Sequence, residues 1–288
     1  MNAQSSPAPH KAGPLTTCEI QSQCQSALKR GEKVLETSLD LGRSKTLVHL
    51  EEAAWTWEGA TYPYIDGCKE RTIYYWDGAA FRPISRFGSS LIKLVPTEWG
   101  APTFEIDGIK MLPSARVSPF EDAQRKVELI RPRGKDILDT CGGLGYFAVW
   151  CLRGGARRIE SFELNADVLW LRSLNPWSPE GGGDADSRLR VQLADVAAHI
   201  GSLASASFDA VLHDPPRFGI AGDLYSQAFY DELARVIKRN GRLFHYTGAP
   251  NKLTTRRDVP NEVANRLRRA GFVTELRLDG VLAIKKQR

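Results

Sequence analysis

The stretch LDTCGGLGY, from Leu138 to Tyr146, decides the fold. An apolar run ends on Asp139, a glycine-containing turn follows, and the apolar segment YFAVWCLRG begins at Tyr146. This pattern predicts a strand over residues 136–141, a tight turn at Gly143 and Gly145, and then a helix. Such a turn presents backbone N–H groups and small side chains at the carboxyl end of a strand, where doubly wound sheets bind ligands.

Strand and helix patterns alternate along the rest of the chain. The segments RIESFEL, RLRVQLAD, FDAVLHD and RLFHYTG are typical of strands. The segment LYSQAFYDELARVIKRNG, residues 224–241, is predicted to be one long helix that ends on glycine. Repeated strand–helix units favour a parallel sheet covered on both faces. The last two strand patterns, FVTELRLDG and VLAIKKQ, have no helix between them, so we expect an antiparallel hairpin at one sheet edge.

The chain changes character near residues 113–121. Before this point, short runs rich in β-branched and aromatic residues, such as TLVHLEE and TIYYWDG, alternate with turn signals. We therefore expect three parts: a disordered lead-in over residues 1–33, a small β-rich domain over 34–112, and an α/β domain over 113–288. The N-terminal segment MNAQSSPAPHKAGP lacks the apolar core of a secretory signal.

Composition narrows the function classes. The 288 residues are 42% hydrophobic and 25% charged, as in ordinary globular proteins, and the net charge of +5 is too small to indicate nucleic-acid binding by itself. The five cysteines form no C-x-x-C pair, so we expect no disulfide framework, no metal and a reducing, cytoplasmic location. No apolar run approaches the ~20 residues of a membrane span, so we expect no membrane association.

Acidic residues end three successive strand patterns: Asp139, Glu163 and Asp195. Asp139 suits a cationic amine, and Glu163 is placed to accept hydrogen bonds from two ribose hydroxyls. Asp195 can accept a hydrogen bond from an adenine amino group. Each acid alone is more typical of a solvated strand end, but the three together favour adenosine joined to an ammonium-bearing tail.

The segments ILDTCGGLGYFA, ESFEL, LAD and FDAVLHDPPR resemble the successive motifs of class I S-adenosylmethionine-dependent methyltransferases. From about residue 34 to its end, the chain resembles a mainly archaeal family of predicted methyltransferases related to the spermidine synthase-like group. The resemblance implies an α/β fold: a Rossmann-like seven-stranded methyltransferase sheet with a small N-terminal β domain. It implies S-adenosyl-L-methionine as cofactor, bound by Asp139, Cys141, Gly143, Gly145, Glu163 and Asp195. One departure is Cys141, which stands where the motif commonly has its first glycine.

The segment HDPPR, residues 213–217, is expected to carry the chemistry. In the resembling families an acid or amide followed by Pro-Pro and an aromatic residue orients an acceptor nitrogen, which implies that role, or that of a general base, for Asp214. Arg217 stands where the aromatic residue is usual, and can bind a substrate carboxylate or phosphate or pair with an acid such as Asp223. His213 and His245 can exchange a proton near neutral pH or serve as structural groups.

The acceptor stays open between a small molecule and RNA. The modest charge slightly favours a small molecule, and the lack of any cysteine beyond Cys151 argues against C5 chemistry on a pyrimidine. A spermidine synthase-like aminopropyltransferase is the alternative reaction. Those enzymes have acids at the positions of Leu144 and Val211, which argues for methyl transfer here. A binding module without catalysis is the third reading, and the oligomeric state is not predicted.

Overall fold

The structure is a computed structural model that describes residues 13–179, 186–217, 221–248 and 258–286. Its α-helices are α1 (Cys18–Lys29), α2 (Pro119–Ile130), α3 (Tyr146–Arg153), α4 (Ala166–Leu174), α5 (Val196–His199), α6 (Gln227–Val236) and α7 (Val259–Arg269). Its first strands are β1 (Leu15–Thr17), β2 (Val34–Thr37), β3 (Thr46–Leu50), β4 (Ala54–Trp57), β5 (Ala60–Pro63), β6 (Ile73–Trp76), β7 (Phe81–Pro83), β8 (Ser85–Phe87), β9 (Leu91–Val95), β10 (Thr103–Ile106) and β11 (Ile109–Lys110). The later strands are β12 (Asp136–Asp139), β13 (Arg158–Glu163), β14 (Leu189–Leu193), β15 (Phe208–His213), β16 (Ile237–Tyr246), β17 (Phe272–Arg277) and β18 (Gly280–Lys285).

The chain forms two compact units. The first comprises Met1–Phe120 with Trp170–Asp184, and the second comprises Glu121–Leu169 with Ala185–Arg288. In the first unit, β1 to β11 form three small antiparallel sheets, as the alternating β-branched and aromatic runs predict. Aromatic rings fill the core of this unit: the ring of Tyr62 stacks on Trp55 at 4.7 Å between centroids and meets Trp76 edge-on at 5.2 Å.

The expectation of a disordered lead-in over residues 1–33 is wrong for its described part. Helix α1 begins after Thr17, whose Oγ1 accepts a hydrogen bond from the N–H of Ile20, and it buries Gln21, Cys24 and Ala27 in the first unit. A side-chain cap and a buried face are sufficient to order such a segment, although its polar sequence masks the signal.

The expectation of no disulfide framework is wrong for one pair of cysteines. Cys18 at the start of α1 forms a disulfide with Cys68, and their Cα atoms are 5.5 Å apart. A separation of 50 residues carries no sequence signal for the pairing, because folding of the first unit brings the two together. Cys24, Cys141 and Cys151 are free thiols.

The second unit contains a seven-stranded sheet in the order β14-β13-β12-β15-β16-β18-β17. Strands β12 to β16 pair in parallel, whereas β18 pairs antiparallel with both β16 and β17. The predicted fold class and the closing hairpin at the sheet edge are therefore confirmed. Because parallel strands point the same way, the carboxyl ends of β12, β13, β14, β15 and β16 lie along one edge of the sheet.

The prediction of one long helix over residues 224–241 is wrong. Helix α6 is capped by Ser226, whose Oγ accepts from the N–H of Phe229, and it ends at Val236. Ile237 is extended (φ −83°, ψ 138°), fully buried, and paired with Phe208 as the first residue of β16. Burial of a β-branched residue in the sheet outweighs the helical spacing of the apolar residues. Among the described residues, no helix has the length and apolar character that crossing a membrane requires.

Candidate active site

The glycine turn after β12 is tied to the neighbouring strand β13 by its backbone N–H groups. Gly142 donates its N–H to the carbonyl of Phe162 (2.7 Å), and Gly143 donates its N–H to Oε2 of Glu163 (2.8 Å). Gly143 and Gly145 have φ values of 50° and 80°, which favour glycine because side chains with a Cβ are strained there. The sequence LDTCGGLGY folds this way because these glycines let the chain reverse into α3 at the strand end.

Glu163 ends β13 with both carboxylate oxygens engaged by backbone N–H groups. Oε2 accepts from Gly143, and Oε1 accepts from Asn165 at 2.9 Å. Each carboxylate oxygen can accept more than one hydrogen bond. Two backbone N–H groups thus hold the Glu163 side chain at the turn.

Asp139 ends β12 and is 1% exposed. The hydroxyl of Ser161, on β13, donates to its Oδ2 at 2.8 Å, which fixes the carboxylate beneath the glycine turn. Its negative charge acts on the thiols of Cys141 and Cys151. The carboxylate of Asp139 is therefore closed off from the surface.

Asp195 follows β14 and is exposed. Its Oδ1 accepts from the N–H of Ala197 at 2.8 Å, so the residue serves as the N-cap of the short helix α5. The sheet order β14-β13-β12 brings Asp195, Glu163 and Asp139 to the ends of three adjacent strands. The layout matches the sequence-based expectation, whereas the roles of the three acids toward a ligand stay predictions.

Cys141 lies where three strand-end charges converge. Its thiol is desolvated, and the negative charges of Asp139, Glu163 and Asp214 act on it as well, so its pKa is raised well above the ordinary value. The thiol is consequently protonated at neutral pH. Cys141 contributes a small neutral side chain to the turn and is not a thiolate nucleophile.

Asp214, directly after β15, faces a buried lysine that sequence reasoning missed. The Nζ atom of Lys126, on α2, lies 3.5 Å from Oδ2 of Asp214 and 2.7 Å from Oδ2 of Asp122. It also lies 3.6 Å from the centroid of the Tyr246 ring, at the end of β16. Lys126 adjoins the apolar stripe of α2, whose residues Ala123, Val127 and Ile130 are buried, but no local sequence pattern indicates its pairing with Asp214.

Burial and charge act in opposite directions on this cluster. Burial raises the pKa of Asp214, and the attraction of Lys126 only partly opposes it, while Asp122 adds to the rise. Burial alone would lower the pKa of Lys126, but the carboxylates of Asp214 and Asp122 outweigh it and raise that pKa. The pKa values of Lys126 and Asp214 can both be raised, because Lys126 has two anionic neighbours whereas Asp214 has one cationic neighbour. Burial also raises the pKa of Tyr246 to about 12.

The catalytic role considered for His213 is not supported by its surroundings. The ring is fully buried; Nε2 lies 3.0 Å from the carbonyl of Leu224, and Nδ1 lies 2.7 Å from Oγ1 of Thr140. A carbonyl only accepts, so Nε2 carries the proton and Nδ1 accepts from Thr140. Burial lowers the pKa of His213 to about 4. His213 therefore fixes the strand end and does not reach a substrate.

His245 is likewise a structural group. It is fully buried, with Nδ1 2.8 Å from the carbonyl of Tyr246 and Nε2 2.9 Å from the hydroxyl of Tyr230. Burial, reinforced by His213, lowers its pKa well below the ordinary value. Both imidazoles are thus neutral at physiological pH.

Arg217 is exposed on the loop that follows β15. Its carbonyl accepts from the N–H of Ala221, and the preceding carbonyl of Pro216 accepts from the hydroxyl of Tyr225 at 3.1 Å. Within the residues that the structure describes, Arg217 forms no ion pair with Asp223. The same described residues contain no group of three His, Cys, Asp or Glu side chains that could hold a metal ion.

Comparison with known proteins defines the class and then the family. No family model matches the chain. A spermidine synthase bound to the transition-state analogue AdoDATO superposes with a TM-score of 0.58 at 19% identity, over 70% of this chain and 72% of that one. The spermidine synthase of Thermotoga maritima superposes with a TM-score of 0.55 at 18% identity, over 70% of this chain and 72% of that one. The chain therefore has the fold of the spermidine synthases.

The sequence itself is 43% identical to the uncharacterized protein MJ1233 of Methanocaldococcus jannaschii over 224 residues, which are 75% of this chain and 74% of that protein. The chain therefore belongs to the MJ1233 family. A segment of 117 residues, 39% of this chain and 21% of the relative, is 34% identical to polyamine aminopropyltransferase 2 of Streptomyces coelicolor.

Proposed function

We propose that the protein is an enzyme that transfers the methyl group of S-adenosylmethionine to a nitrogen nucleophile of a small molecule. The observation that carries the proposal is that Asp139, Glu163 and Asp214 stand at the carboxyl ends of the adjacent strands β12, β13 and β15, where the N–H of Gly143 in the glycine turn binds Glu163. Two of these acids suit the cofactor, and the third suits an acceptor amine.

Residues at three strand ends would each contact a different part of S-adenosylmethionine. Glu163, held by two backbone N–H groups, would accept from the ribose hydroxyls. Asp139 would attract the ammonium group through the turn, and Asp195 would accept from the adenine amino group. Gly143 and Gly145 permit close approach of the backbone, and Cys141 adds little bulk. When bound, S-adenosylmethionine supplies an electrophilic methyl group on a sulfonium, which is a good leaving group.

Asp214 would position the acceptor. A carboxylate in a buried site orients an amine so that its lone pair faces the methyl group, and the raised pKa of Asp214 strengthens it as a base. The two prolines after it offer no N–H group, and the hydrogen bond from Tyr225 to Pro216 steadies their loop. Positioning and exclusion of water then supply most of the rate.

Aminopropyl transfer is the second candidate, because the spermidine synthase structures share the fold. Two observations count against it. Leu144 and Val211, which stand where those enzymes carry acids, are 1% and 0% exposed apolar residues of the core. Neither position offers a carboxylate to an aminopropyl amine.

An RNA acceptor is the remaining alternative, in which the exposed Arg217 would contact a phosphate.

For the location we propose the cytoplasm, which the free thiols of Cys24, Cys141 and Cys151 support. The disulfide between Cys18 and Cys68 counts against it, because structural disulfides are rare in reducing compartments. Thiol labelling of the protein in intact cells, before lysis, tests this. Labelled Cys18 and Cys68 support the cytoplasm, and a disulfide between them contradicts it.

The test is transfer of a labelled methyl group. The protein is incubated with S-adenosylmethionine labelled in its methyl group and with either the small-molecule or the RNA fraction of a cell lysate. Label in the small-molecule fraction, lost with Asp214→Asn and kept with Asp209→Asn at the other end of β15, supports the proposal. Label in RNA favours the RNA alternative, and no transfer to either fraction contradicts methyl transfer.

A further inference from the structure

Lys126 is a charged side chain of the candidate site, and its near-complete burial requires an explanation. Its side chain is 2% exposed, on helix α2 of the second unit. An ammonium removed from water is strongly destabilising unless charged or polar groups surround it. Lys126 has such partners at close range: Asp122 at 2.7 Å, Asp214 at 3.5 Å, and the face of Tyr246 at 3.6 Å from the ring centroid.

These three partners form a cation subsite. Carboxylates provide charge-assisted hydrogen bonds to an ammonium, and an aromatic face attracts it through the ring quadrupole. The raised pKa of Lys126 agrees with this environment, since the two carboxylates outweigh the effect of burial. The chain thus fills, with its own ammonium, a place that would otherwise suit the protonated amine of a ligand, while Asp214 can still accept a hydrogen bond from a neutral one.

We propose that Lys126 determines acceptor specificity: its ammonium occupies the cation subsite of Asp122, Asp214 and Tyr246, so the enzyme takes acceptors that are uncharged or anionic beside the attacking atom and excludes polyamines. The inference rests on the proposed function, because it takes Asp214 as the residue that meets the acceptor. It extends that function by giving the charge class of the acceptor.

The exclusion follows from electrostatics. A polyamine chain whose reacting nitrogen lay at Asp214 would bring further ammonium groups close to Lys126, and like charges repel strongly in a buried, low-dielectric site. Lys126 also neutralises one of the two carboxylates that would attract such a chain. An acceptor with a neutral amine, or with an anionic group near it, meets no such repulsion.

The chain offers a matched control in Lys238. This lysine also lies between two aspartates, 2.9 Å from Oδ1 of Asp209 and 3.7 Å from Oδ2 of Asp136. It is 34% exposed and belongs to the amino-terminal end of the parallel strands, opposite the site. Lys238→Ala removes a similar ion cluster without touching the proposed subsite.

The experiment measures whether removal of Lys126 opens an amine site. The Tm of wild type, Lys126→Ala, Lys238→Ala and the double variant Lys126→Ala/Asp214→Asn is followed against n-propylammonium chloride, with sodium chloride at equal concentration as reference. We expect a saturating rise in Tm for Lys126→Ala only, because a ligand that binds the folded state raises Tm with its concentration. The proposal is overturned if the wild type, or the double variant, shows a rise in Tm as large as that of Lys126→Ala.

A second measurement begins with the wild-type protein. Calorimetric titration of the wild-type protein with putrescine and spermidine is expected to show no binding, and binding of either one at Asp214, abolished by Asp214→Asn, overturns the proposal. Binding of S-adenosylmethionine is measured separately on the same samples. If the wild-type protein does not bind S-adenosylmethionine, the proposed function is refuted. If amines bind in a way that does not depend on Lys126, only the specificity role of Lys126 is refuted.

Discussion

The imidazole rings of His213 and His245 pack edge to face with their centroids 4.4 Å apart, inside the carboxyl-terminal edge of the sheet. Each ring uses both nitrogens in hydrogen bonds to groups of the protein interior. The pair ties β15 to β16 beside the candidate site. It is a structural element that stays neutral, and protonation breaks it.

The first prediction concerns acid stability. The pKa of His213 is about 4 in the folded protein against 6.5 in the unfolded chain, so protons bind the unfolded state more tightly. Its contribution is fully present above pH 6.5 and is lost as pH falls toward 4, by about 3 kcal/mol. Urea unfolding at a series of pH values measures this loss. His213→Gln should be less stable at pH 7 and show a shallower pH dependence; an equal slope would contradict the assignment.

The second prediction concerns Asp214. Asp214→Asn should lower turnover by about 10²- to 10⁴-fold, because it removes the base and orienting charge of the site. Affinity for S-adenosylmethionine should change little, since the cofactor residues lie on other strands. Single-turnover rates and calorimetry separate the two effects. Equal losses in rate and in cofactor affinity would show that Asp214 serves the fold of the site and not the acceptor.

The third prediction concerns the reactivity of Cys141. Because its pKa is raised well above the ordinary value, its thiol should react slowly with iodoacetamide at pH 7 and faster only when the protein unfolds. Mass spectrometry of tryptic peptides over time measures the rate. Rapid alkylation of Cys141 in the native protein, with Cys151 still protected, would contradict the electrostatics described for the turn.

The fourth prediction concerns the disulfide of the first unit. Closing a loop between Cys18 and Cys68, which are 50 positions apart in sequence, stabilises a fold by roughly 4 kcal/mol in the chain-entropy model. Cys18→Ser/Cys68→Ser should therefore unfold at clearly lower denaturant concentration than wild type. Cys24→Ser serves as the comparison for loss of a thiol alone. An unchanged midpoint for the double variant would mean that the pairing contributes no stability.

The sequence predicts the second unit far better than the first. The glycine turn, the strand-end acids and the closing hairpin follow from local patterns, since each uses residues whose roles depend on backbone geometry. The end of α6 at Val236 does not follow, because apolar residues at helical spacing continue into β16 and only pairing of Ile237 with Phe208 ends the helix. The helix over Cys18–Lys29 was hidden by a polar composition that tertiary packing overrides.

The candidate site is predictable in its acids and not in its cation. Asp139, Glu163 and Asp214 each end a strand, which is a local signal. Lys126 lies 88 residues before Asp214, on a helix whose sequence pattern is that of an ordinary amphipathic helix. The ion pair between the two exists only after the sheet has formed. His213 shows the converse error: its position at a strand end favours chemistry, whereas full burial makes it structural.

The most direct test of the central claim is calorimetric binding of S-adenosylmethionine and of its decarboxylated form. Wild type is compared with Glu163→Ala and with Glu160→Ala, a matched change on β13 at a residue that binds Gln192. A methyltransferase site predicts tighter binding of the carboxylated form, with affinity lost by at least about tenfold in Glu163→Ala and kept in Glu160→Ala. Preference for the decarboxylated form, or equal affinity in all three proteins, would contradict it.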